Sequence, residues 1–287
     1  MHQENGQFSL AFNCLSPEIR EQLQYITDHP PLPHWREKIR GTPNAFLRSA
    51  LFGLVERGKR KKVAGETIPS LKGISISVTG WQFDQSDFDV LLQALDLTSR
   101  QPEPSSDGFV RFTAKGFLKA IGRASGKSGR EWLKASFTRM TQTSLVIKVE
   151  NPGGYRKDIS FHGPLISDFI HDSIDRTYLF KLHPQFGQLF EENWTMLKWE
   201  QRTSFQTDLA KWLHGFYSSH RTPYPIKVET LKQLCGSDCS RLSDFRTKLR
   251  LALQELIAAE ILTTGSIDHD DKVQVQRFGV VHPTTTQ

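Results

Sequence analysis

Apolar positions recur in two rhythms along the chain, and the changes of rhythm mark its predicted elements. The run from Thr42 to Gly53, TPNAFLRSALFG, and Leu54 beyond it set Phe46, Leu47, Ala50, Leu51 and Leu54 at helical spacing behind a Thr and a Pro, which predicts one short amphipathic helix. ISISVTG, from Ile74 to Gly80, alternates as a strand does, and Ser86 to Leu97 returns to helical spacing with Ser86 or Asp84 as its cap. FVRFT, from Phe109 to Thr113, is strand-like again. A helix over about Ala114 to Ala124 follows, then the turn SGKSG, then a second helix from Gly129 to about Thr141 that Ser128 can cap. Two strand-like runs, TSLVIKVE and YRKDISFH, flank Asn151-Pro152-Gly153-Gly154, residues that favour a turn. Helix, turn, helix, hairpin is the order of a winged helix-turn-helix.

The same order returns downstream. Lys227 to Ser237 predicts a short helix ending at Gly236, and Ser240 to Ala259 a longer one with Phe245, Leu249, Ala252, Leu253 and Leu256 on one stripe. EILTTGSI and DKVQVQRF then make two strands around His269-Asp270-Asp271. Phe117 and Gly122 correspond to Leu231 and Gly236 at an offset of 114, and Leu133, Phe137 and Met140 to Phe245, Leu249 and Ala252 at 112. The change of two falls in a turn, where length is tolerated. The fold class expected is therefore α+β, a tandem pair of winged helix-turn-helix domains with a flexible N-terminal arm. Pro17, Pro30, Pro31, Pro33 and Pro43 keep residues 1–45 from forming one continuous helix or central strand. The expected divisions are the arm at 1–39, a first winged-helix domain at 40–184 and a second at 185–287.

Composition narrows the functional classes. The 287 residues carry 37 Lys and Arg against 31 Asp and Glu, a formal charge of +6, which favours polyanionic partners. Between Phe109 and Arg139 there are eight basic residues and one acid, Glu131, so this one segment carries +7. Lys115, Lys119 and Arg123 recur every four residues on the first helix, and Arg130 and Lys134 do so on the second. Lys127 and Arg139 complete the segment. Such a surface can neutralise duplex phosphates and release their counterions, and arginine can also read guanine in the major groove. In the second copy Arg241, Arg246, Lys248 and Arg250 hold the same place. Hairpin residues Lys148, Arg156, Lys157 and Lys272 join the candidates, with Arg130, Lys134, Arg246 and Arg250 preferred for base or phosphate contact. A merely solubilising face is the alternative, as it is for the loop carrying Arg57, Lys59, Arg60, Lys61 and Lys62.

Other chemistry is poorly supported. Three cysteines without a C-x-x-C pair argue against disulfides and structural zinc, so Cys235 and Cys239 are expected in the core. Gly122 to Ser128 resembles a phosphate loop, but three residues rather than four separate its glycines and it follows a helix rather than a strand. Neither G-x-S-x-G nor H-E-x-x-H occurs. Asp268 to Asp271 reads as a hydrated turn before a divalent-ion site, and His214 and His220, beside Trp212, Phe216 and Tyr217, read as a packed helix end. No catalytic residue, metal or cofactor is expected, and the absence of a long apolar run or secretion signal makes a soluble, cytoplasmic protein the expectation.

Several segments together resemble the TrfA family of plasmid replication initiators. They are RGTPNAFLRSALF (Arg40 to Phe52), QSDFDV (Gln85 to Val90), FTAKGFLKAIG with GKS (Phe112 to Ser128), WEQR (Trp199 to Arg202) and AKWLHGFYSSHRTPYPIKVETLKQLCGS (Ala210 to Ser237). The resemblance implies two winged helices that bind origin repeats called iterons, promote opening of adjacent AT-rich DNA and recruit the host initiator and replicative helicase. It also implies an active monomer in equilibrium with an autoinhibited homodimer, and so a part in plasmid copy control. Within the arm, Gln7, Leu10 and Phe12 form a Q-x-x-L-x-F peptide similar to those that dock on the polymerase sliding clamp. An ordinary amphipathic end that folds on the body is the alternative there. For the whole chain the alternatives are a winged-helix transcriptional repressor and, resting on the imperfect glycine loop, an ATP-dependent DNA remodeller.

Overall fold

Antiparallel pairing between distant segments organises the first two thirds of the chain. The computed structural model describes residues 32–56, 58–101, 108–150, 158–171, 177–191 and 193–279. The clamp-like peptide Gln7, Leu10 and Phe12 and the hairpin candidates Arg156 and Lys157 lie outside the described residues.

Strand β1 (Ile39–Pro43) begins within the stretch read as an arm that holds no central strand, and it is almost wholly buried. Trp35, just before it, is 3% exposed and stacks on Phe190. Helix α1 (Asn44–Leu47) is a single turn, where the sequence predicts a helix reaching Gly53. The reason is a rival acceptor. The Ala50 N–H donates to Pro69 O at 2.8 Å instead of closing another turn, and the chain passes into β2 (Phe52–Gly53), with Phe52 stacked on Phe83 and Phe88.

Strand β3 (Lys62–Ile68) occupies part of what reads as a cationic loop, because a mostly exposed, charged edge strand lacks the apolar alternation that reveals inner strands. It pairs with β4 (Ile74–Trp81). After the short β5 (Phe83–Asp84), helix α2 (Gln85–Ser99) starts at a reciprocal cap in which Asp84 accepts from the Asp87 N–H and Asp87 from the Asp84 N–H. Phe88, Val90, Leu91, Leu92, Ala94 and Leu95 make it the central helix of the first core.

Strand β6 (Val110–Thr113) leads into α3 (Ala114–Ala120) and α4 (Lys127–Gln142). Helix α3 stops earlier than its periodicity suggests. Gly122 takes φ +70°, its N–H donates to Lys119 O, and the Arg123 N–H donates to Leu118 O at 2.8 Å, a Schellman ending. Arg123 therefore leaves the helical stripe of Lys115 and Lys119.

Strands β7 (Ser144–Val149) and β8 (Ile159–Gly163) pair as the turn signal predicts, but they do not return to β6. They complete a four-stranded sheet in the order β3-β4-β7-β8. The hairpin that pairs with β6 is β9 (Ile166–His171) with β10 (Thr177–Leu182), in the order β6-β10-β9. Its polar positions Ser167 and Asp168 blur the alternation, which is why the earlier hairpin took its place in the reading of the sequence. The 3₁₀ segment Pro184–Phe190 follows, and then β11 (Trp194–Lys198), which pairs with β1 from Ile39 opposite Lys198 to Pro43 opposite Trp194.

Helix α5 (Trp199–Ser204) passes from the first core to the second. Phe186, Leu189, Phe190, Leu197 and Trp199 belong to the first; the second begins at Phe205 and continues through α6 (Asp208–Ser218). Strand β12 (Ile226–Lys227), α7 (Val228–Leu234), α8 (Leu242–Ala258), β13 (Leu262–Ile267) and β14 (Lys272–Arg277) then repeat the earlier order, with the sheet β12-β14-β13. The correspondence extends to register: Phe112 opposite Tyr178 and Thr113 opposite Thr177 recur as Ile226 opposite Val273 and Lys227 opposite Lys272. It extends also to the cap, since Gly236 has φ +63° and the Ser237 N–H donates to Lys232 O. Leu133, Phe137 and Met140 are fully buried, as are Phe245, Leu249 and Ala252.

Candidate nucleic-acid interface

In the first lobe a groove of about 550 Å³ is lined by Thr113, Lys115, Arg130, Lys134, His171 and Tyr178. Three of the basic residues singled out in the sequence thus meet there, Lys115 from the first turn of α3 and Arg130 and Lys134 one turn apart on α4. The hairpin supplies the opposite wall, where the rings of His171 and Tyr178 lie 4.6 Å apart. Neither was a candidate, because the weak alternation of β9 hid the hairpin. The run TYLFKL, with Tyr178 and Phe180 buried, is the signal that could have found it.

The helix end adds to the positive potential. Gly126 caps α4 without a side-chain bond, and its first turn has no acid but holds Lys127. Arg130 Nη1 donates to Ser125 O at 3.1 Å, and Lys134 Nζ is 3.3 Å from Glu131 Oε1, a pair weakened by its exposure. Lys119 and Lys127 are exposed.

Three first-lobe candidates lie elsewhere. Arg123 stacks over Trp132 at 3.7 Å and donates to Ser86 Oγ at 2.9 Å. Arg139 is held inward, its Nη2 on Asp87 Oδ1 at 2.5 Å, with Ser136 Oγ on the same oxygen and Arg60 on the other. Asp87 is completely buried, so these donors compensate a charge that water cannot reach. Beside it, burial and the Asp87 carboxylate push the Asp84 carboxyl above its ordinary range. Lys148 is exposed on β7, opposite Ser75 and Ser160, in a different sheet from the groove.

In the second lobe Arg246 and Arg250 stand one turn apart on α8 beside the β13–β14 turn. Arg246 grips Asp271 with Nε at 2.7 Å and Nη2 at 2.9 Å, holding that carboxyl below and the guanidinium above their usual ranges. The turn itself is organised by Asp268, whose Oδ1 accepts from the Asp270 and Lys272 N–H groups at 2.9 Å each. Lys272 reaches Asp270 at 3.5 Å. Arg241 is exposed at the N-cap of α8. Lys248 is not with Arg246 and Arg250; it lines a separate depression with Glu56, Asp208 and Leu251.

Cys235 and Cys239 are buried, and burial pushes the Cys235 thiol up to about 12. His214 is buried too, and is lowered to about 3 by burial and by the Arg202 and Arg277 charges. Among the described residues no helix is long and apolar enough to cross a membrane.

Residues 179–277 match the sequence-family model described as TrfA protein. The Plasmid replication initiator protein TrfA of Escherichia coli is 25% identical to this chain over 272 residues, which is 91% of this chain and 66% of that protein. Over these spans the chain is similar to a TrfA replication initiator. It spans about two thirds of the length of that curated TrfA. A crystal structure of domains 2 and 3 of RctB resembles it with a TM-score of 0.52 at 16% identity, over 75% of this chain and 86% of that one, a likeness of fold. A crystal structure of Pi initiator protein in complex with iteron DNA aligns with a TM-score of 0.47 at 10% identity, over 67% of this chain and 92% of that one. The TrfA match includes β12, α7, α8, β13 and β14, the whole of the second repeat of elements.

Proposed function

We propose that this chain is a non-enzymatic plasmid replication initiator that grips repeated duplex sites at an origin with two tandem winged-helix units. The hairpin β9–β10 is the wing of the first and β13–β14 that of the second, and the units divide between Trp199 and Phe205, where one core gives way to the other. The observation that carries this reading is the convergence of Lys115, Arg130 and Lys134 against a hairpin, within an order of elements that the second lobe repeats strand for strand. The kinship with a plasmid replication initiator supplies the physiological setting.

Within it, Lys115, Lys119, Lys127, Arg130 and Lys134 form the phosphate-facing surface of the first unit, and Arg241, Arg246, Arg250 and Lys272 that of the second. Arg139 supports α4 through Asp87 rather than touching DNA. Opening of neighbouring AT-rich DNA, recruitment of the host initiator and helicase, a monomer–dimer equilibrium and cytoplasmic action belong to the same proposal. So does clamp docking by Gln7, Leu10 and Phe12.

Footprinting on the parent plasmid's origin across a salt series tests the proposal. Protected repeats, with affinity falling steeply as salt rises, are expected. Uniform protection without repeats would sink it. A repressor built from the same units would protect a promoter without unwinding AT-rich DNA beside it.

A further inference from the structure

A buried charge is among the side chains that join the two lobes. Arg202, on α5, is completely buried. Its Nε donates to Asp89 Oδ1 at 2.7 Å, its Nη1 to Lys211 O at 3.2 Å, and its Nη2 to Gln85 Oε1 at 3.0 Å and Gln85 O at 3.3 Å. The guanidinium also lies 4.8 Å above the Phe88 ring. Lys211 Nζ takes the second oxygen of Asp89 at 2.6 Å. Asp89, Gln85 and Phe88 come from α2 in the first lobe, Lys211 from α6 in the second.

We propose that the Asp89–Arg202–Lys211 cluster is a phase lock, fixing the angle between the two DNA-reading units and so the spacing of the half-sites they accept. This rests on the proposed duplex-binding function.

Apolar surfaces can slide over one another with little change in the area they bury, whereas a buried guanidinium has directional donors. Turning one lobe against the other would separate Asp89 from Arg202 or Lys211 and leave a charge without a partner inside the protein. Neighbouring bonds keep the same alignment. Trp212 Nε1 donates to Ser49 O at 3.2 Å, the Leu54 N–H donates to Cys235 O at 2.8 Å, and Arg48 Nε donates to Ser219 Oγ at 3.1 Å. Close packing admits little slack either, since a Cβ on Gly215 would stand 2.7 Å from Leu47 Cδ2. None of these residues belongs to the basic surface, so their effect on DNA passes through geometry.

The test measures affinity of the full-length chain for duplexes carrying one footprinted repeat, unaltered or lengthened by one or two base pairs at its centre. Each added base pair turns one half-site by about 34° and moves it about 3.4 Å. For the parent protein we expect one insertion to weaken binding about tenfold or more. For Asp89→Asn and Lys211→Gln the loss is expected to shrink to about threefold or less, while Lys211→Arg, which keeps the ion pair, retains the sharp penalty. Thermal unfolding identifies any variant that fails to fold; should Asp89→Asn do so, Lys211→Gln, in which Arg202 keeps Asp89, carries the comparison. An equally sharp penalty in folded Lys211→Gln, or a parent protein indifferent to insertions, would overturn the lock. Failure of the parent protein to bind any origin fragment would instead overturn the function on which it rests.

Discussion

Arg130 and Lys134 owe their importance to company rather than charge alone, for each lines the groove into which Lys115 also projects. Replacing either by Ala removes one cation from the cluster proposed to face phosphate. The slope of log affinity against log salt should flatten by about 1 for each, with similar losses on origin and random duplex if the contact is to phosphate. Lys148→Ala, on the other sheet, should leave the slope unchanged, and a comparable change there would refute the placement of the surface. At His214 burial works through acid instead. The folded side chain holds its proton only near pH 3, against 6.5 in the open chain, so the unfolded state binds more protons within that window. Stability should be flat in this group above about pH 6.5 and fall progressively toward about pH 3. Asp84 and Asp208, both pushed up by burial, act in the opposite sense at acid pH. Comparison of melting curves with His214→Gln isolates the histidine: the variant should lose less stability on acidification, and identical pH profiles would contradict the assignment.

At the scale of elements, the two helix endings at Gly122 and Gly236 are the same device. A side chain on Gly122 meets nothing within 4 Å, so Gly122→Ala reports backbone strain alone. A cost of about 1–2 kcal/mol and a lower melting temperature are expected, with the α4 surface intact. An unchanged melting temperature would mean that the left-handed cap is dispensable. Much of this architecture was legible in the residues: Phe117, Gly122, Leu133, Phe137 and Met140 announced their counterparts because core spacing and a C-terminal glycine are local requirements. Lys115, Arg130 and Lys134 were legible for the same reason, being polar positions off the buried stripes of their helices. What stayed hidden depended on distant partners. The sheet β6-β10-β9 required β6 to choose β10 over the nearer β7–β8 hairpin, and β3 required β4 as a neighbour, neither of which periodicity encodes. Arg139 and Arg246 each found a carboxylate that sequence spacing does not reveal, 52 and 25 residues away.

On the scale of the whole molecule, the body described here and the peptide near its start should act independently. Leu10→Ala with Phe12→Ala is expected to abolish association with the sliding clamp in a pull-down while leaving duplex affinity within about twofold, since neither residue belongs to the basic surface. Persistent clamp association would remove that partner, and a large loss of duplex affinity would show that the arm contributes to DNA binding. The β1–β11 pair carries one more consequence, and it concerns time. Ile39 leaves the ribosome long before Lys198, its partner. At translation rates of about 5–20 residues per second, the wait is on the order of 8–30 s. Throughout that interval the hydrogen-bonding edge of β1 is an open template, so the newborn chain needs either a temporary cover for it or a slow approach to its neighbours.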